Sequence, residues 1–255
     1  MSRRTRPVSR RLAAALVATA LLAVATFGGL NYVAARNLLL YGMEDQLAGV
    51  GSTRAETISV GTQRLVAEIS AASADLAVAA ALNRFTGAFE DLADEELSDE
   101  ELEALELWYE ERIITPLNDA GLGPYDLQDA LPRTNQGRWL QYHYTVRPEG
   151  EPPPTDAGDG TEYSAINAGV TEGFQQLSES KGAGDVLLID ASGTIVYSLD
   201  KRNDVGTSLT DGPHAQGALA QAVTRDLPRV QFGSTILTDF TVSATGRAAL
   251  YAVSA

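Results

Sequence analysis

Apolar positions along this chain follow several patterns, and each pattern predicts an element. The first is continuous: Leu12 to Ala35 is 24 residues without a charge, framed by Arg10 and Arg11 on one side and Arg36 on the other. At ~1.5 Å rise per residue a helix of that length covers roughly 36 Å, enough for the ~30 Å hydrocarbon layer of a bilayer. A membrane helix is therefore expected at 12–35. From Asn37 to about Phe89 there is no proline and alanine is abundant. Leu47, Val50, Ile58, Leu65, Ile69, Leu76 and Ala79 recur at steps built from three and four, which predicts one long helix with an apolar stripe, interrupted by Arg54 and Gly61. Its first turns suit a stalk pairing with a second copy, and its later turns suit packing on the domain that follows.

Beyond it, Ser98 and Glu101 form a Ser-x-x-Glu capping box, and Leu102, Leu105, Tyr109 and Ile113 then mark one buried face of a helix ended by Pro116. Asn118 to Pro132 reads as loop with a short helical turn, punctuated by Gly121, Gly123 and Pro124. In Arg138-Trp139-Leu140-Gln141-Tyr142-His143-Tyr144, the alternation of Leu140, Tyr142 and Tyr144 with Gln141 and His143 suits one side of a strand. Aromatic and cationic groups together also suit a small-ligand pocket. An exposed loop from Pro148 to Gly160 separates this segment from a helix at Glu162 to Ser180, with Tyr163, Ile166, Val170, Phe174 and Leu177 on one face.

The clearest strand pattern is Asp185 to Leu199. The apolar run Val186 to Ile189, the turn Asp190-Ala191-Ser192-Gly193 with glycine placed for positive φ, and the return through Ile195, Val196 and Tyr197 predict a β-hairpin. A loop from Asp200 to Gly212 leads to a helix expected from Pro213 to Thr224. Gln231 to Val242 and Arg247 to Val253 then read as two strands. The chain reaches Ala255 inside a strand pattern, which predicts that these residues are the front part of a longer protein.

Charge sets the orientation. Arg3, Arg4, Arg6, Arg10 and Arg11 precede the apolar run and no acidic residue appears before Glu44, so the tail at 1–11 is expected in the cytoplasm and the bulk outside it. Leu12 to Val24 also has the make-up of a signal-peptide core, with Ala23-Val24-Ala25 at cleavage spacing. The run continues through Phe27, Leu30, Tyr32 and Val33, which favours an uncleaved anchor. Five of the 19 Lys and Arg residues lie in the tail, leaving 14 against 34 Asp and Glu. A surface so acidic repels nucleic acid and anionic lipid heads.

The 255 residues include no cysteine, hence neither disulfide nor thiolate nucleophile. An exported domain without disulfides depends on its apolar core, which 44% hydrophobic residues supply. The acidic block from Glu90 to Glu111 lacks the tight glycine-turned loop of a calcium site, and Asp156, Asp159 and Glu162 do not fit EF-hand spacing. No metal and no cofactor is expected. There are only two histidines, His143 and His214, and no Gly-x-Ser-x-Gly, His-Glu-x-x-His or Walker A sequence, so the chain itself is not expected to be an enzyme.

Several segments together resemble a known family: Gln141-Tyr142-His143-Tyr144, Asp156-Ala157-Gly158-Asp159-Gly160, Asp185-Val186-Leu187-Leu188-Ile189-Asp190, Gly193-Thr194-Ile195-Val196-Tyr197-Ser198 and Gly206 to Pro213. In this order, after a membrane helix and a long helix, they look like the Cache-like (PDC-type) sensor region of bacterial transmembrane receptors, which precedes class III adenylate and guanylate cyclases, chemotaxis transducers or histidine kinases. The likeness spans roughly residues 135–253, and 36–134 by architecture. Lys181 to Gly184 and Asp200 to Asp204 depart from the family's usual wording. The resemblance implies an α+β fold: a membrane helix at 12–35, a helical membrane-proximal region at 36–134, and at 135–255 an incomplete antiparallel sheet flanked by helices. It further implies a small-molecule ligand, and places its pocket near Arg138, Trp139, Tyr142, Tyr144, Tyr197 and Asp239. A homodimer through the membrane helix and stalk, and a cytoplasmic output domain beyond residue 255, complete the expectation. The alternative is a membrane-tethered extracytoplasmic interaction or scaffold protein with no signalling output.

Overall fold

The computed structural model describes residues 56, 59–64, 66–121, 123–242 and 248–255. The expected membrane helix at 12–35, the tail at 1–11, and Leu47, Val50, Ile58 and Leu65 of the expected stripe lie outside the described residues. The chain divides into two compact units, Met1–Thr62 and Gln63–Ala255. In the first, the described residues 56 and 59–62 are helical. Among the described residues no single helix is long and apolar enough to cross a membrane; Ser59–Ser73 and Leu76–Asp94 meet that test only together, as a bent pair.

The one long helix expected as far as Phe89 is instead broken. Helical residues 59–64 and 66–73 (α1) stop at Ala74 and Asp75, and α2 (Leu76–Asp91) starts afresh, with the Asp75 carboxylate accepting from the Ala77 N–H. That cap satisfies a backbone donor no intrahelical carbonyl can reach. The restart resets the phase of the buried face. Leu76 and Ala79, expected on the stripe, are exposed, and Ala81, Phe85, Ala88 and Phe89 are buried. At its end α1 meets the C-terminal segment: the Ser70 hydroxyl donates to the Gly233 carbonyl, and the Ser73 hydroxyl donates to the Ser254 hydroxyl at 2.8 Å.

Helix α3 (Asp99–Tyr109) has the expected capping box, with the Ser98 hydroxyl accepting from the Glu101 N–H and the Glu101 carboxylate from the Ser98 N–H. Leu105 and Tyr109 are fully buried, while Leu102 and Ile113 are half-buried. Pro116 does not end the helix as expected. A π-helical turn, Glu110–Ile114, leads into α4 (Thr115–Asp119), where the Thr115 N–H reaches Glu110. The wide turn carries the chain past the steric clash a proline ring makes with the carbonyl four residues back, and Pro116 sits in the first turn of α4, where its missing N–H costs nothing. The short α5 (Leu127–Ala130) is the expected turn within the following loop.

Residues 138–144 form no strand. They belong to α6 (Asn135–Tyr144), capped by the Thr134 hydroxyl accepting from the Gly137 N–H. Gly137, Leu140, Gln141 and Tyr144 are buried at helical spacing. Leu140 and Tyr144 suit both periods, being four apart, and half-buried Tyr142 breaks the strand pattern.

Helix α7 (Glu162–Lys181) ends on Gly182 in the left-handed conformation, and buries Tyr163, Ile166 and Phe174 as expected. The hairpin also forms as expected. Strands β1 (Leu187–Ile189) and β2 (Ile195–Ser198) pair antiparallel, and the Asp190 carboxylate closes the turn by accepting from the N–H groups of Ser192 and Thr194. Gly193 takes φ 86° there.

Strand β2 is buried throughout and separates two cores. Val196 and Tyr197 join Phe85, Tyr144, Tyr163 and Phe174 on one side. Ile195 joins Leu209, Leu219 and Val253 on the other.

The helix expected from Pro213 to Thr224 is delayed. Turn bonds from Ala215 to Gly212 and from Gly217 to His214 hold 212–217 out of helix, so α8 spans only Ala218–Gln221 before a π turn, Ala222–Asp226, and a 3-10 turn, Leu227–Arg229. The two final strands are shorter than expected. β3 (Thr235–Leu237) pairs antiparallel with β6 (Ala252–Ser254), and β4 (Thr241–Val242) with β5 (Ala248–Ala249). The described residues thus form an α+β fold in which helices dominate and the strands make three two-stranded antiparallel pairings.

Candidate functional site

The segment after the hairpin, residues 200–206, has no regular structure, yet the carbonyls of 200–205 are satisfied one after another by side chains. Arg147 donates to Asp200 at 2.8 Å and to Lys201 at 3.1 Å, and the Thr145 hydroxyl to Arg202 at 3.3 Å. Gln141 Nε2 donates to both Asn203 and Val205 at 2.8 Å, while Tyr109 from α3 donates to Gln141 Oε1 at 2.5 Å. The Thr207 hydroxyl donates to Asp204 at 2.6 Å. The buried end of α6 and the residues just after it therefore hold the loop in one conformation, as buried carbonyls require partners.

Beside this loop lies a cleft of about 410 Å³. One wall is Trp108, Arg112 and Ile113, at the join of α3 and the π turn; a second is the turn from Pro148 to Glu151; the third is Asp200 to Asn203. Arg112 crosses from the first wall to the second, with Nη1 2.7 Å from Glu149, and both side chains are well exposed. Arg147 stands at the back, its guanidinium bonded to four carbonyls, those of Tyr144, Glu151, Asp200 and Lys201. Arg202 pairs with Asp200. The cleft is thus lined by guanidiniums and carboxylates beside an indole face, which suits a small polar or zwitterionic molecule.

Behind the loop, Lys201 is 2% exposed and takes φ 48°, rare for a side chain with a Cβ. Its Nζ donates to the Ser198 carbonyl at 2.7 Å and stands 3.7 Å from the centre of the Tyr197 ring and 5.6 Å from that of Tyr144. Burial pushes its pKa well below the usual lysine value, with Asp185 opposing. Burial lifts the carboxyls of Asp185 and Asp204 to about 6. It also raises Tyr109, Tyr163 and Tyr197, lifts Tyr144 to about 12, and lowers His143 and His214.

The residues expected at a pocket do not lie together. Tyr144 and Tyr197 meet, but around Lys201 inside the core. The Tyr144 hydroxyl is 2.6 Å from that of Ser164. Trp139 is buried with its ring 4.2 Å from His143, and Tyr142 packs with Leu105, Tyr109 and Leu131. Arg138 donates to the Pro132 carbonyl at 3.0 Å. Asp239 is exposed between β3 and β4. The cleft instead gathers Trp108, Arg112, Arg147 and Arg202, which sequence reasoning passed over.

Among the described residues no group of three or more His, Asp or Glu side chains is placed to hold a metal ion. Comparison with protein-family models, with curated proteins and with solved structures returned no match to this chain.

Proposed function

We propose that the chain is the extracytoplasmic signal-input region of a bacterial transmembrane receptor, Cache-like in its sheet region, which binds a small molecule and passes the event to a cytoplasmic output domain. Residues 12–35 anchor it with the N-terminus inside, and the membrane helix and stalk pair two copies. The chain carries out no chemistry of its own.

The observation that carries this reading is the cleft. Its walls come from three segments distant in sequence, and two are bridged by a single exposed ion pair, Arg112 to Glu149. Such a pair contributes roughly 0–1 kcal/mol, so a ligand can replace it and move the walls at little cost. A ligand shifts a two-state protein only by binding one arrangement more tightly, and a cleft between separate segments supplies that difference. The alternative, a tethered interaction protein, is favoured by the acidic face of α3, where Leu107 is also exposed.

The test uses the full chain in lipid nanodiscs. Amino acids, small organic acids and amines are screened by thermal shift against the wild type and Arg112→Ala. A compound that raises the Tm of the wild type and not of the variant supports the sensor. No shift from any class, or recovery of the chain in the soluble fraction, rejects it.

A further inference from the structure

The break between α1 and α2 has one local cause, a cap. From Thr62 to Thr86 the chain holds neither glycine nor proline and is rich in alanine, which favours unbroken helix. At the break the Asp75 N–H donates to the Ala72 carbonyl at 3.1 Å, and the Ala77 N–H to the Asp75 carboxylate at 2.8 Å. An unbroken helix would instead give the N–H groups of Leu76, Ala77 and Val78 the carbonyls four residues back, those of Ala72, Ser73 and Ala74. What holds α1 out of line is a set of polar contacts: the Ser70 hydroxyl on the Gly233 carbonyl, the Ser73 hydroxyl on that of Ser254, and Lys181 Nζ 3.6 Å from Glu68, each side chain of the pair 28% exposed. Bonds so close to water are individually weak. None of the described residues of α1 is buried, whereas α2 is fixed in the core by Ala81, Phe85, Ala88 and Phe89.

Sequence spacing runs straight through the break. Leu65, Ile69, Ala72, Leu76 and Ala79 stand at steps of four, three, four and three, the spacing of a coiled-coil seam. The bent form cuts that seam: Leu76 is 83% exposed and Ala79 is exposed, while Ile69 and Ala72 are half-buried. On one helix the four described positions would form a single stripe, which stops at Ala79, just before α2 enters the core at Ala81. A stripe with this repeat is complementary to itself across a two-fold axis, so its partner is the same segment of a second copy.

We infer that α1 and the first turn of α2 convert between the bent form and one straight helix, and that the straight form pairs with a second copy through Ile69, Ala72, Leu76 and Ala79. Straightening costs the contacts to Gly233, Ser254 and Lys181 and the Asp75 cap; it gains regular helix bonds and the burial of Leu76 in the pair. The two forms differ in whether α1 grips the C-terminal segment or its own counterpart. An element with two such arrangements can carry a signal along a helix. The inference rests on the pairing of two copies through the stalk, and not on the cleft being the ligand site.

No cysteine occurs in the chain, so one introduced cysteine is the sole thiol. The full chain in liposomes carries Ala74→Cys, Leu76→Cys, Ala77→Cys or Ala79→Cys, all at positions exposed in the bent form. Disulfide formation between copies is timed after addition of copper phenanthroline. Positions 76 and 79 are expected to cross-link several-fold faster than 74 and 77, which a straight pair turns away from the seam. Leu76→Pro suits the bent form, where it takes the first position of α2 behind an extended Asp75 at ψ 126°, and breaks the straight one. It should therefore abolish cross-linking at Ala79→Cys with the Tm unchanged, and Asp75→Ala, which removes the cap, should speed it. The second variant decides should the first fail to fold. Equal rates at the four positions overturn the inference, as does cross-linking at Ala79→Cys that ignores both variants. Ile58→Cys reports on the stalk alone. Cross-linking there without the preference at 76 and 79 leaves the pairing of copies standing and sinks the inference, and none at any position sinks both.

Discussion

Gly137 and Gly206 touch backbone to backbone: a Cβ on Gly206 would lie 2.7 Å from the Gly137 Cα, and one on Gly137 would lie 2.5 Å from the Gly206 carbonyl oxygen. This contact seats the post-hairpin loop on the first turn of α6 and brings Gln141, one turn further on, under the loop carbonyls. Gly206 also takes φ 74°, where a side chain is strained whatever the space. Gly206→Ala is therefore expected to cost about 2 kcal/mol or more. Gly150→Ala, at φ 85° in open space, should cost only about 1 kcal/mol. Urea midpoints of the two variants compare them, and equal losses would mean that the close approach adds nothing to the strain.

Gln141 is the hub beneath that contact. Gln141→Leu removes its bonds to the Asn203 and Val205 carbonyls and to the Tyr109 hydroxyl in a buried place, leaving the Tyr109 hydroxyl only its 3.3 Å bond to the Asn203 carbonyl. A loss of about 2–3 kcal/mol is expected, against about 1 kcal/mol for Tyr109→Phe. A Gln141→Leu loss no larger than that of Tyr109→Phe would show that water reaches the loop carbonyls.

Ser98 offers a local test. Its hydroxyl and the Glu101 carboxylate satisfy each other's backbone N–H groups, and the Ser98 N–H, more than the Ser98 hydroxyl, holds the Glu101 pKa below the usual carboxylate value. Ser98→Ala should lower stability by about 1 kcal/mol without disturbing the cleft. Chemical denaturation followed by far-ultraviolet circular dichroism measures it. A neutral result would mean that solvent caps α3 equally well.

Lys201 yields a pH prediction. Its folded pKa is depressed by burial, so the stability linked to the shift is fully present above the free-lysine value of 10.5 and is lost as pH falls through the folded value. The wild type should gain stability between about pH 7 and about pH 10, and Lys201→Met should gain less over the same span. Denaturation midpoints at the two pH values decide it, with parallel gains counting against a buried, titrating amine.

Elements whose signals are local were legible in the sequence. The hairpin at Leu187–Ser198 needs only an apolar run, an aspartate to close the turn and a glycine at positive φ. The α3 capping box is written in two residues three apart. The α7 face repeats from Tyr163 to Leu177, about four turns, long enough to fix its period. Residues 138–144 were misread because Leu140 and Tyr144 are compatible with both periods over so short a span, and the deciding cap, Thr134, lies outside it.

The amino-acid sequence by itself determined the hairpin, the capped start of α3, the buried stripe of α7 and the acidic, cysteine-free character of the chain, because each depends on neighbours within a few residues. Only the tertiary structure decided that α1 and α2 part at Asp75 and that the helix passes Pro116 through a π turn. It alone brought Tyr109, Gln141 and Arg147 onto one loop and Arg112 to Glu149 across a cleft. Those contacts join residues tens of positions apart, and a charged run such as Asp200 to Asp204 carries no local mark of whether water or protein will surround it.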